Sequence, residues 1–361
     1  MPRESGAPSK RQPAQLAKSD PSVFTGSSAF ADDDNERVMF TLAELEAVLP
    51  IVRAGMPPTP QYAWPLLQRR TGVTVVVKHE NHTPIGAFKV RGGLVYVERL
   101  KRAKPDIKGL ITATRGNHGQ SFAFACARLG VPCTVVVPFG NSAEKNAAMQ
   151  AFGAELIEHG RDFDEARERA EQIAAERGYE YGKSFDKDLV LGVATYAHEL
   201  FTAFPDLDTV YVPIGLGSGI CGVIGTRDAL RLKTRVVGVI SERANMYKLS
   251  LAAGRPVAIN SCATFADGMA VRIPSEEAFA VIARGIDRLV EVSDDEIAEG
   301  IRVLYTDTHT LAEGAGAAAL AALMQERARM RGKRAGVIVS GQNIDRPWMA
   351  TVLTGGTPQV A

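Results

Sequence analysis

Beyond residue 40 the apolar side chains gather into short continuous runs separated by helical stretches, and this alternation predicts the architecture. The runs 73–77, 109–113, 134–137, 155–158, 209–214, 235–240, 289–292 and 336–339 have strand length and are apolar enough to be buried on both faces. Between them, helix starts are readable. Thr41 with Glu44, Asn141 with Glu144 and Ser293 with Glu296 each have the spacing of a capping box. The stretch 162–177 sets charged residues around an Ala/Ile face, the pattern of a surface helix. Strand and helix in alternation predict an α/β fold with parallel sheets covered by helices on both faces, and the length predicts two such sheets. Residues 1–37 differ: Pro, Ser, Ala, Lys and Asp dominate without an apolar period. Disorder is expected there, or an arm ordered on a partner subunit.

Composition narrows the function classes. The chain has 361 residues, 45% hydrophobic and 23% charged, the balance of a globular protein with room for one large unit or two lobes. A net charge of +1 gives no electrostatic footprint for nucleic acid or an anionic membrane. No apolar run has the length of a membrane span, and nothing near Met1 reads as a signal peptide, so a cytoplasmic enzyme is expected. The four cysteines, Cys126, Cys133, Cys221 and Cys262, form no CxxC pair. They read as small buried apolar residues, and no metal site is expected.

Four segments carry composition that packing alone does not require. In GAFKVRGG, Lys89 stands among small and apolar residues at a helix start, where desolvation and the helix dipole both favour the neutral amine. That amine suits Schiff-base chemistry; a surface lysine whose stem snorkels is the alternative. In TATRGNHGQS, Gly116 and Gly119 allow a tight turn whose free N–H groups can hold a carboxylate, beside Thr114, Asn117 and His118. A plain connection, with His118 simply packed, explains it equally. In VPIGLGSGICG, Gly215, Gly217 and Gly219 close a strand and open a helix, a cradle for a phosphate or for a nicotinamide dinucleotide. The dinucleotide alternative lacks an acidic ribose ligand after the following strand. In VIVSGQN, Ser340, Gly341 and Asn343 end a buried strand on the side where ligands of parallel sheets bind.

In this order the four segments resemble the fold-type II pyridoxal-phosphate enzymes of the serine/threonine dehydratase family, from about Pro57 to Asp345. The resemblance implies two doubly wound α/β lobes, tryptophan synthase β-like, with pyridoxal 5'-phosphate in the cleft. The small lobe would span 88–187 and the large one 38–87 plus 188–361, with no C-terminal regulatory domain. Lys89 would carry the cofactor and serve as the base. Phe88 would pack on its ring, Asn117 would meet the ring hydroxyl, and Glu313 would lie near the ring edge. Gly215, Leu216, Gly217, Ser218 and Gly219 would bind the phosphate, and Ser340 would face the ring nitrogen. Thr114, Arg115, Gly116 and His118 would receive the substrate, and Asp267 matches a motif at the cleft.

Two departures sharpen the expectation. Many members have Ser where this chain has Arg115, which cannot exchange a proton near neutral pH, so racemisation is disfavoured. Ile240 and Met246 stand where some members bind a divalent cation, and neither can ligate one. The expected activity is β-elimination from an L-threo β-hydroxy amino acid of the threonine or serine type, giving a 2-oxo acid and ammonia, by a homodimer. The alternatives are 3-phenylserine or 3-hydroxyaspartate as substrate, and a β-replacement synthase.

Overall fold

The computed structural model describes residues 39–360; the expected N-terminal arm lies outside the described residues. Ten strands form two sheets: β1 (Gln61–Ala63), β2 (Thr74–Lys78), β3 (Leu110–Ala113), β4 (Cys133–Val137), β5 (Glu155–Glu158), β6 (Glu180–Tyr181), β7 (Thr209–Pro213), β8 (Arg235–Ser241), β9 (Arg288–Val292) and β10 (Arg334–Ile338). The larger sheet runs β1-β2-β10-β7-β8-β9 and the smaller β5-β4-β3-β6. All pairs are parallel except β1 with β2. The eight apolar runs are the eight longest strands, shifted by one or two residues. The sequence reading missed β1 and β6, because three half-exposed residues and two half-buried ones carry no run.

Each sheet is covered by helices, so the strands between them are buried on both faces and must be apolar. The capping boxes at Thr41 and Ser293 form. The third does not: Asn141 Nδ2 donates to Asn146 Oδ1 instead, and Ser142 caps the helix Ala143–Ala151 by accepting from Lys145 N–H. The helix Phe163–Arg177 starts at Asp162 as read.

The chain builds β1 and β2, crosses to make the small sheet, and returns through the helix Lys187–Ala203 to finish the large one. The helices Lys89–Ala103 and Lys187–Ala203 meet backbone to backbone. A Cβ on Gly192 would lie 2.2 Å from the Arg91 carbonyl oxygen, so this contact requires glycine. Beside it lies a buried charge cluster. Arg91 Nε donates to Glu80 at 2.7 Å and its Nη1 to Glu199 at 2.8 Å, while Lys78 Nζ reaches Glu199 at 2.5 Å. Burial alone would raise the Glu199 pKa, but Arg91 and Lys78 outweigh it and hold it at about 2. The cluster ties β2 and the returning helix to the helix that begins at Lys89.

Candidate active site

The four segments follow the carboxyl ends of β2, β3, β7 and β10, and they meet through the contacts of Phe88 with Ser340, Lys89 with Ser218 and Asn117 with Asn343. The chain before Lys89 is held against the end of β10 by a single antiparallel bridge: Ala87 pairs with Gly341, and Phe88 N–H donates to Ser340 O at 3.0 Å. The helix Lys89–Ala103 therefore starts at the cleft. Lys89 Nζ donates to Ser218 Oγ at 2.9 Å and stands 5.2 Å from the centre of the Phe88 ring. It has no carboxylate partner among the described residues, and burial lowers its pKa to about 8. Near neutral pH a usable fraction is the free amine.

Ser218 opens the helix Ser218–Ala229, and no side chain caps that helix. Gly217 has φ +120°, a conformation that side chains rarely adopt, and a Cβ there would lie 2.7 Å from Ala278 Cβ. A Cβ on Gly219 would lie 3.6 Å from the Phe88 ring and the Tyr196 hydroxyl. Tyr247 O–H donates to Leu216 O at 2.7 Å and Tyr196 O–H to Gly219 O at 3.1 Å. The loop is thus fixed from behind with its first-turn N–H groups forward, a fit for a phosphate.

In the facing turn, Thr114 Oγ1 accepts from the N–H groups of Gly116 at 3.0 Å and Gly119 at 3.3 Å. Asn117 opens the helix Asn117–Leu129. Its Nδ2 donates to Glu313 Oε1 and its Oδ1 accepts from Asn343 Nδ2, both at 2.8 Å. Asn343 Nδ2 also donates to Ile85 O at 2.8 Å. Burial pushes the Glu313 carboxyl up to about 7, Asp267 adding to the effect and Lys145 opposing it. Ser340 is buried at the end of β10.

Two substrate-binding candidates are placed differently from the rest. The His118 ring packs on Phe122 with centroids 4.4 Å apart, its Nε2 buried without a partner. Burial, and then Lys89, lower its pKa to about 3, so the ring is neutral and carries no charge to offer a substrate. Arg115 is exposed and makes no ion pair among the described residues. Ile240 and Met246 are buried in the apolar core.

Sequence reasoning gave no role to Asn343, although it stands within the quoted VIVSGQN, and it missed Lys145 altogether. Lys145 is buried, its Nζ 2.7 Å from Asp267 Oδ2 and its stem against Gly116. Nothing in the polar stretch around it signals burial.

A lysine beside an uncapped glycine-loop helix is the decisive geometry, and residues 52–341 match the model of the family described as pyridoxal-phosphate dependent enzyme. The chain belongs to that family, in its serine/threonine dehydratase branch. The cofactor of these enzymes is pyridoxal 5'-phosphate. The enzyme is 37% identical over 288 residues to the L-threonine ammonia-lyase of Geobacter sulfurreducens, covering 80% of this chain and 71% of that one. It is 34% identical over 306 residues to the biosynthetic L-threonine dehydratase of Salmonella typhimurium, covering 83% of this chain but 59% of that longer one. With the L-threo-3-hydroxyaspartate ammonia-lyase of Saccharomyces cerevisiae it shares 32% identity over 298 residues, 82% of this chain and 91% of that one. The processed form of threonine deaminase isoform 2 from Solanum lycopersicum superimposes with a TM-score of 0.82 at 29% identity, covering 92% and 97% of the two chains.

Proposed function

We propose that the enzyme removes the hydroxyl group of an L-threo β-hydroxy amino acid of the threonine or serine type, giving a 2-oxo acid and ammonia. The observation that carries this reading is Lys89, a buried amine of depressed basicity set against Ser218 of the glycine loop. Relatives named as L-threonine ammonia-lyases support it. Lys89 would hold the cofactor as a Schiff base, and Gly215, Leu216, Gly217, Ser218 and Gly219 its phosphate. Phe88 would cover the ring, with Asn117 at the ring hydroxyl, Glu313 at the ring edge and Ser340 at the ring nitrogen. Bound there, the cofactor supplies an electron sink for the pair left when the Cα–H bond breaks.

The chain's own residues do the rest. Once the substrate's amine has displaced it, Lys89 Nζ would take the Cα proton, for which a neutral amine is required. The first-turn N–H groups of Asn117 and His118 receive the α-carboxylate at a positive helix end, beside Thr114, Arg115 and Gly116. Ser340 would offer the ring nitrogen a hydroxyl, which would not hold a proton there as a carboxylate does. The weaker sink favours prompt loss of the β-leaving group. The hydroxyl leaves with its electron pair and, once protonated, departs as water. The enamine then takes up one water to give the 2-oxo acid and ammonia.

In this reading the smaller lobe runs from 88 to 187 and the larger from 38–87 and 188–361, a division that the four-stranded sheet supports. The enzyme works in the cytoplasm as a homodimer. No described helix is long and apolar enough to cross a membrane. A solution mass near twice 38.7 kDa supports the dimer, and a monomer mass refutes it.

One observation favours a second substrate. Arg115 is an exposed cation without an ion pair among the described residues, and a second carboxylate would supply one, as 3-hydroxyaspartate does. Testing L-threonine, L-serine, 3-phenylserine and 3-hydroxyaspartate for 2-oxo acid and ammonia decides between them. Stoichiometric release from threonine or serine is expected. Release from 3-hydroxyaspartate alone selects the second reading. Product formation only with an added nucleophile makes the enzyme a β-replacement synthase and overturns both.

A further inference from the structure

The first turn of the helix Ala143–Ala151 belongs to the small lobe, yet its polar groups are engaged by the large one. Ser142 Oγ donates to Asp345 Oδ1, Glu144 Oε1 accepts from Arg346 N–H at 3.1 Å, and Lys145 Nζ donates to Asp267 Oδ2 at 2.7 Å. Lys145 is buried to 7% side-chain exposure and Asp267 to 21%. Burial works against the Lys145 charge, but Asp267 and Glu313 outweigh it and raise its pKa. The lysine therefore stays charged and bound. Its stem lies across the turn that opens the Asn117 helix: a Cβ on Gly116 would sit 2.6 Å from Lys145 Cδ and 3.5 Å from Cε.

We propose that Lys145 is a positioning residue: bolted to Asp267 across the cleft, it holds the Gly116 turn in the shape that receives the substrate's α-carboxylate. The proposal rests on the reading of that turn given above. The ammonium supplies the bolt and the methylene stem supplies the floor. Lys145→Met keeps much of the stem and removes the bolt, and Asp267→Asn removes the bolt from the other side. Neither side chain is assigned a proton or a bond of the reaction, so the loss falls on substrate binding.

The test uses holoenzyme and both single variants with the double variant. Each single variant is expected to raise KM for the β-hydroxy amino acid about tenfold, with kcat kept within about threefold. The double variant should be no worse than either single one, since one interaction is lost in all three. Independently of turnover, backbone amides of residues 114–119 should exchange hydrogen about tenfold faster in Lys145→Met, with the rest of the small lobe unchanged. Additive KM effects, a fall in kcat at constant KM, or unchanged exchange in 114–119 overturns the proposal. Faster exchange spread over the whole lobe also overturns it, reducing the pair to a structural brace. A parent enzyme inactive on every β-hydroxy amino acid refutes the proposed function instead. The exchange measurement then decides the fate of the bolt alone.

Discussion

Replacing Lys89 by Met should stabilise the cofactor-free protein while ending its chemistry. Burial moves the Lys89 pKa from 10.5 to about 8, so the folded state holds this proton more weakly than the unfolded chain. At about 1.4 kcal/mol per tenfold change in affinity, the charged lysine costs about 3 kcal/mol of stability below pH 8. The sign follows from the protons bound. Between about pH 8 and 10.5 the unfolded chain keeps the proton and the folded state does not, so stability rises through that window. Methionine matches the stem, cannot be protonated and loses only the hydrogen bond to Ser218, worth about 1 kcal/mol. The variant should therefore gain about 2 kcal/mol at pH 7, and its advantage should vanish by about pH 10. Urea unfolding of both cofactor-free proteins at pH 7 and pH 10 measures the difference. A variant less stable than the parent at pH 7, or an advantage that ignores pH, would show that Lys89 is not held under a desolvation penalty.

Other perturbations probe separate parts of the account. Arg115→Ser should lower the preference ratio among threonine, 3-phenylserine and 3-hydroxyaspartate about tenfold while kcat changes less. Intact ratios would mean that Arg115 serves only solvent. Arg91→Met removes the cation bound to buried Glu80 and one of those on Glu199, which keeps Lys78, and should cost about 3–5 kcal/mol in urea unfolding; a loss below 1 kcal/mol contradicts the buried network. Gly219→Val should weaken cofactor retention about tenfold or more, because its side chain crowds the Phe88 ring and the Tyr196 hydroxyl beside the helix start. Equilibrium dialysis of cofactor checks this, and unchanged retention places the phosphate elsewhere.

What the sequence revealed and what it hid divide along physical lines. Val75, Val76 and Val77 are completely buried on both faces of their sheet, so burial alone imposes a readable run. β1, with Tyr62 54% exposed, is a strand only because β2 offers it an edge, and no local pattern records that. At the helix Ala143–Ala151, Asn141 and Ser142 have similar capping ability, and the Asn141 contact with Asn146 settled the choice. Gly217 and Lys89 stood out because a glycine loop opening a helix and a lysine among apolar residues are local patterns, and the fold sets Lys89 Nζ 2.9 Å from Ser218 Oγ. Lys145 was not: it looks like any helix-surface lysine until the fold brings Asp267, 122 residues away, against it. His118 left two readings open, and the fold packs its ring at a tilt against Phe122.

The account stands on Lys89 as the residue that carries the cofactor, and reductive trapping tests that most directly. Enzyme loaded with pyridoxal 5'-phosphate is treated with borohydride, digested and mapped by mass. The account predicts one modified lysine, Lys89, with no label on Lys145 and no visible band in Lys89→Ala. A label on another lysine with Lys89 unmodified would contradict it.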